Sequence, residues 1–278
     1  MTVQIVTDSA ADIAPALAEE LGIRVVPLSI RFGDEEFTDG VDLSTEGFYE
    51  KMAATSELPS TAAPAPGAFE AAMREAGANG DPVVCINLSS ALSATMQSAQ
   101  NAARAIGSDL DVRVLDSHSI TGGEGMLVLA AAEAAAGGAG PDEIEALVAD
   151  LSGRTAMFGA LNTLDNLKKG GRIGNAQALL GGLLSIKPII DISTGSVEEA
   201  SKQRTRGKAL VWLRDRLFQE DEVADLALCH GHADDVEEML ALLAPRYSRD
   251  QISIWTIGAV IGAHGGPAVM GLVWHRPA

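Results

Sequence analysis

The chain is expected to be an α/β protein in two parts. The first is a mainly parallel sheet built from βαβ units, and the second is an α+β part with a mixed or antiparallel sheet. Three observations predict this. Short apolar runs alternate with helical patterns through the first half. Those runs are followed by loops rich in hydroxyls and acids, as at Asp8-Ser9, Asn87-Leu88-Ser89-Ser90 and Asp116-Ser117. After Gly137-Gly138-Ala139-Gly140-Pro141 the order of elements changes and strands predominate. The expected division is 1–150 and 151–278.

Val3 to Val6 reads as a first strand, and Asp8 to Asp12 supplies caps for a helix ending near Gly22. Ile23 to Ile30 reads as one strand, with a turn at Gly33-Asp34 and a return over Glu35 to Phe37. Ser44 caps a short helix, a proline-rich loop surrounds Thr61, and a helix covers Gly67 to Ala76. Val83 to Leu88 is a buried strand, Ala94 to Ile106 a helix, Val112 to Leu115 a strand, and Gly122 to Ala136 a long alanine-rich helix. The helix from Pro141 to Leu151 leads into strands near 156–161, 188–192, 224–229, 252–257 and 269–274. Helices intervene near Leu179, at 207–218 and at 234–243. There is no internal repeat and no low-complexity linker.

With 278 residues and 47% hydrophobic content, the chain can build a substantial core. Its formal net charge of -18 repels nucleic acid and anionic lipid headgroups. Basic residues gather in one stretch, which includes Lys168, Lys169, Arg172, Lys187, Lys202, Arg204, Arg206 and Lys208. Cys85 and Cys229 lie in apolar runs without metal spacing and read as buried structural thiols. The N-terminus lacks the pattern of a signal peptide, and no apolar run reaches the ~20 residues of a membrane span. The expectation is a soluble cytoplasmic protein with no cofactor.

Two loops carry the chemistry. Ser89, Ser90 and Ser93 lie between a strand end and a helix start, where unpaired N–H groups hold an anion without a fixed charge. Ser60 and Thr61 lie in the second loop. Capping alone also accounts for the serines. Asp8 and Asp116 read as caps that also order these loops. A serine nucleophile at Ser93, with His264 and Asp116 as partners, is the enzymatic alternative, but the surroundings lack the glycines of a nucleophile elbow. Gly170-Gly171-Arg172-Ile173-Gly174 has neither Walker nor dinucleotide spacing. His230-Gly231-His232 lacks a third ligand at metal spacing. His264 is expected at the tip of a glycine-rich turn, 257–267, as a candidate donor.

An ordered set of motifs resembles the DegV family across essentially the whole chain. They are Val-Thr-Asp-Ser-Ala-Ala-Asp at the start, Leu-Pro-Ser-Thr at 58–61, and Leu-Ser-Ser-Ala-Leu-Ser-Ala-Thr-Met-Gln-Ser-Ala at 88–99. Leu-Lys-Lys-Gly-Gly-Arg-Ile-Gly, Ile-Lys-Pro-Ile-Ile, Gln-Arg-Thr-Arg-Gly-Lys-Ala and the C-terminal Ile-Gly-Ala-Val-Ile-Gly-Ala-His-Gly-Gly-Pro complete it. The resemblance implies a binding protein, not an enzyme, that holds a long-chain fatty acid and presents it to a separate fatty acid kinase. The acyl phosphate then feeds phospholipid synthesis. By the same resemblance Thr61 and Ser93 hold the carboxylate and His264 matches the family's C-terminal histidine; Ser60 and Ser90 are further candidates beside them. Arg172 and the segment Arg204 to Arg206 also match family motifs. The sequence departs from the usual pattern at Ala91 and Ala94, where glycines are usual, at Ala62-Ala63, and at Gly265, where a threonine is usual. On this reading the tail lies between the first sheet and its alanine-rich helices. Arg172, Lys202, Arg204 and Arg206 form a basic patch at the tunnel mouth for the partner or a phosphate. A serine hydrolase acting on acyl esters and a regulatory ligand sensor remain as alternatives.

Overall fold

A computed structural model describes residues 2–179 and 186–278. Its first half contains β1 (Gln4–Asp8), α1 (Pro15–Glu20), β2 (Arg24–Val26), β3 (Ser29–Phe32), β4 (Glu35–Thr38), α2 (Thr45–Ala54) and β5 (Ser60–Ala62). These are followed by α3 (Pro66–Ala76), β6 (Val83–Asn87), α4 (Thr95–Ile106), β7 (Val112–Asp116), α5 (Thr121–Ala136) and α6 (Pro141–Arg154). The second half contains β8 (Thr155–Ala160), α7 (Asp165–Lys169), β9 (Lys187–Asp191), β10 (Glu198–Gln203), α8 (Arg206–Leu217) and β11 (Asp225–His230). It closes with α9 (Val236–Leu243), β12 (Ser253–Thr256), α10 (Ala259–Gly265) and β13 (Met270–His275).

The first sheet is parallel throughout, in the order β2-β1-β6-β7. Every residue of β6 is buried, as befits a strand covered on both faces. Phe69 and Met73 of α3 and Ile106 of α4 cover one face, over Val6 and Cys85. Val128 and Ala131 of α5 and Ile144 and Val148 of α6 cover the other, over Ile5, Val84 and Ile86. The alanines of α5, Ala131, Ala132 and Ala135, are fully packed in this layer. Their small side chains bring the helix close to the sheet. A cavity lies elsewhere, against the second sheet.

The apolar run Ile23 to Ile30 is two strands rather than one. Pro27 has no N–H to continue a ladder, and the chain changes sheets there. β2 stays in the parallel sheet, and β3 enters a separate antiparallel sheet, β4-β3-β5. The expected first helix is also divided. Asp8 caps a 3-10 turn at Ser9–Ala11, and Asp12 leaves it in the left-handed region at φ 52° before α1 begins.

The second sheet is mixed, in the order β10-β9-β8-β13-β11-β12, and only β11 and β12 run parallel. Its strands alternate. Ala156, Phe158, Met270, Leu272 and Trp274 meet α8 and α9 on one face. Met157, Val273 and Cys229 enter a cluster on the other face with Leu28, Ile30 and Phe48 from the first half. β10 is polar, lies at the sheet edge, and has no apolar alternation to reveal it. Near Leu179 there is a 3-10 stretch, Gly174–Leu179, and residues 180–185 lie outside the described part.

Several acids stand in the first half where it meets the second. The Tyr49 hydroxyl donates to Ile257 O at 3.0 Å. Burial pushes Asp12 up to about 8, against the lowering effect of the Thr121 hydroxyl and the Gly258 N–H. Asp12 as a residue is partly exposed, but its Oδ2 is buried without a partner. Burial likewise raises Asp8 and Asp39 to about 6. A carboxyl with a raised folded pKa binds its proton more tightly in the folded state. Its contribution is therefore full below the ordinary value of 3.8 and is lost as pH rises through 6 and 8. The melting temperature of Asp12→Asn relative to the parent should rise by on the order of 10 °C between pH 5 and pH 9, measured by calorimetry.

Candidate functional site

A narrow cavity lies between the second sheet and the segments that follow β2, β6 and β7. It contains about 820 Å³ of space between atoms, its open mouth included. Met157, Ile190 and Ile192 belong to its floor, Leu88 and Ile120 to the loops above, and Val260 and Ile261 to α10. Besides the Cys229 thiol, its polar wall residues are Thr61, Ser93, Thr121, Arg172 and His264.

Thr61 is not in a loop. It is the centre of β5 and pairs with Ile30 of β3. Strand alternation turns Thr61 inward and leaves Ser60 and Ala62 exposed on the other face. Ser60 is accordingly absent from the cavity wall. The Thr61 hydroxyl lies 2.8 Å from His264 Nε2.

His264 belongs to the last turn of α10, not to the tip of a turn. Gly258 precedes this helix and Gly266, at φ 80°, ends it. Val260, Ile261, His264 and Gly265 share its cavity-facing stripe, at the i, i+1, i+4, i+5 spacing of one helix face. A side chain on Gly170 would come within 2.3 Å of His264 Nδ1, so glycine there admits the imidazole. Burial, then the nearby Arg172 charge, lowers His264 to about 4, and the ring is neutral at pH 7.

Ser93 sits on a loop whose backbone is held by acids. Asp8 Oδ2 accepts from Leu88 N at 3.0 Å and from Asn87 Nδ2 at 3.1 Å. Asp116 accepts from Ser90 N and His118 N. The expected ordering role of both aspartates is visible in these bonds. Ser89 Oγ donates to Gly195 O at 2.6 Å, tying the loop to the second half. Ser93 Oγ lies 2.8 Å from Thr95 Oγ1 and accepts from Thr95 N at 3.2 Å, so it satisfies the first N–H of α4 while lining the cavity. Ser90 is exposed and lies outside the wall.

Arg172 links these parts. Its Nε donates to Leu92 O at 3.1 Å, one residue from Ser93, and its Nη1 to Gly170 O at 2.8 Å. Thus Thr61, His264, Arg172 and Ser93 form one polar end of a cavity whose remaining wall is apolar apart from Thr121 and the Cys229 thiol. The expected basic patch is divided: Arg172 is in the wall, whereas Lys202 and Arg204 are exposed. Arg206 holds Asp235 through two bonds of 2.7 and 2.9 Å, which neutralises it. Charge clustering along a chain carries no information on burial, and half-buried Arg172 is set apart from its exposed basic neighbours in sequence by its place in the wall. Thr121 has no signature in the sequence: it stands in the wall at the first residue of α5, with a φ of 44° that belongs to the backbone alone.

A hydrolase needs a serine–histidine bond. Here the Ser93 hydroxyl is engaged by Thr95, His264 Nε2 by Thr61, and Asp116 by backbone N–H groups. Among the described residues no group of three or more His, Cys, Asp or Glu is placed to hold a metal, and no helix is long and apolar enough to cross a membrane.

The DegV family model, described as "Uncharacterised protein, DegV family", matches residues 2–276. A DegV domain-containing protein of Halalkalibacterium halodurans is 35% identical, with 98% of each chain covered. A DegV family protein from Thermus thermophilus, solved for its fatty acid binding, superposes with a TM-score of 0.88 at 30% identity over 100% of both chains. A stearic acid-binding protein from Eubacterium ventriosum gives 0.89 at 26% identity, covering 99% of this chain and 98% of its own. DegV of Bacillus subtilis, a fatty acid binding protein, gives 0.88 at 29% identity over 100% of both. With the family model spanning nearly its whole length, this chain belongs to the DegV family.

Proposed function

We propose that this protein binds a long-chain fatty acid, with the carboxylate at the polar end of the cavity and the alkyl chain along its apolar wall. The observation that carries this reading is the segregation of the cavity: four hydrogen-bonding side chains at one end and, apart from Thr121 and the Cys229 thiol, apolar side chains and glycines elsewhere. An acidic head group with an oily tail matches that division. About 14 buried methylenes at about 0.8 kcal/mol each contribute at most about 11 kcal/mol, before association and chain-ordering entropy are subtracted. A buried carboxylate opposes binding unless it is hydrogen-bonded or paired. Thr61 and Ser93 supply hydroxyls, and Arg172 supplies a fixed positive charge. His264, being neutral, orients the Thr61 hydroxyl.

The protein then acts as a carrier and not as the enzyme that activates its cargo. It presents the carboxylate to a separate fatty acid kinase, which forms the acyl phosphate used in phospholipid synthesis. Its cavity opens to solvent, and Lys202 and Arg204 are exposed. They would meet an acidic partner surface or steady the phosphate.

Native mass spectrometry of the purified protein should show one fatty acid per chain; a clean unliganded mass in delipidated protein that takes up no added stearic acid would remove this reading. Arg172→Gln should weaken stearic acid binding at least about a hundredfold, because it leaves the carboxylate's charge unpaired. Thr61→Val should weaken it about tenfold, measured by calorimetric titration. Charge reversal, Arg204→Glu, should lower the rate of acyl-phosphate formation with kinase and ATP and leave stearic acid affinity unchanged. In the NMR titration of the unliganded protein, the His264 ring should change charge near pH 4 rather than 6.5. Since the unfolded ring binds its proton more tightly, the stability contributed by neutral His264 is present above 6.5 and is lost as pH falls towards 4.

A further inference from the structure

One row across the second sheet is unusual in its side chains. Cys229 of β11 pairs with Gly271 of β13, Gly271 with Gly159 of β8, and Gly159 with Ile190 of β9. All four residues line the cavity. The two glycines are adjacent, on the two central strands of the floor, about 4.8 Å apart. They leave a strip of bare backbone between Cys229 and Ile190.

No local requirement explains the glycine at 159. Its φ is outside the left-handed region. A Cβ there would meet only Ile190 Cγ1 at 3.6 Å and Cδ1 at 4.0 Å, which is ordinary contact. Glycine in a strand interior weakens the strand. At Gly271 a Cβ would be tighter, 3.3 Å from Phe158 O, so part of that glycine's cause is local. At Gly159 the space that a side chain would take belongs to the cavity.

The row also lies on the route from the polar end. Gly265, next to His264, packs against Val269, which precedes β13. Val269 and Leu161 flank the glycine pair on one side along the strands, and Met157 on the other, and all three line the cavity. Any chain running from His264 over this floor towards Met157 passes above Gly159 and Gly271.

We infer that Gly159 and Gly271 form the bearing surface on which the ligand's alkyl chain rests, and that the missing side chain at 159 sets the cross-section the cavity admits. This rests on the fatty-acid reading above. The pair determines specificity by contact with the ligand, independently of the head-group residues.

The test uses the delipidated full-length protein, stearic acid as probe, and calorimetric titration beside thermal melting. Gly159→Val should lower stearic acid affinity at least about thirtyfold and Gly159→Ala about fivefold, as overfilling of a packed site does. The unliganded Gly159→Ala protein should melt at the parent temperature or higher, because alanine is the better strand residue. Weaker binding without weaker folding is a signature that a purely structural role does not give. Affinities of both variants within twofold of the parent would overturn the inference. If the valine variant fails to fold, the alanine variant decides alone. A parent that binds no stearic acid would instead remove the fatty-acid reading, and this inference with it.

Discussion

An acidic group enters a protein interior only where donors are already fixed to receive it, and on the proposed reading Arg172 is where this protein would meet that constraint. The guanidinium is held by Leu92 O from the first half and by Gly170 O from the second. It therefore joins the loop that carries Ser93 to the helix end against which His264 packs. With the donors placed in advance, little ordering remains to be done when a ligand arrives. The same charge lies close enough to His264 to help keep the ring neutral. A neutral ring at that position takes part in hydrogen bonding to Thr61 without adding a second charge to desolvate.

Around the carboxyl end of β1 lies a group of carboxyls whose proton affinity is raised by burial. Desolvation outweighs the hydrogen bonds they receive at Asp8, Asp12 and Asp39, and it raises Glu124 well above the usual carboxylate range. Asp8 shows what they do for the fold. One side chain caps the turn after β1 and holds the loop after β6 at Leu88. Two neighbouring parallel strands thus end in loops fixed to one carboxyl, and the Ser93 loop inherits that position. The geometry of the site is set from underneath, by groups that do not line the cavity.

Period and apolar runs made the parallel sheet, its covering helices and the main strands of the second sheet legible in the sequence. What was not legible has definite physical causes. Thr61 sits among prolines, which signal a loop, but pairing with Ile30 makes the segment a strand and thereby separates Thr61 from Ser60. His264 lies among glycines, which signal a turn, yet the stripe Val260, Ile261, His264 and Gly265 packs as a helix against its neighbours. Tertiary contact overrode propensity in both places. The alanines of α5 invited a tunnel where there is close packing. Arg206 was legible as a charge but not as half of an ion pair, since Asp235 is remote in sequence. In each case the residue type carried the chemistry, and the partner that settles its role came from a distant segment.

The location of the cavity follows from how the layers are filled. Within each half, helices lie on a sheet and their side chains complete a closed core. At the seam the facing surfaces come from separate sheets, and the largest apolar cluster draws on both halves. Twisted sheets do not close on each other over a wide area without side chains long enough to fill the gap. Here the floor is bare at Gly159 and Gly271, where filling would be expected. An apolar chain lying in that seam would touch both halves at once. Its binding energy would then stabilise their contact, so that occupancy and the integrity of the seam rise and fall together.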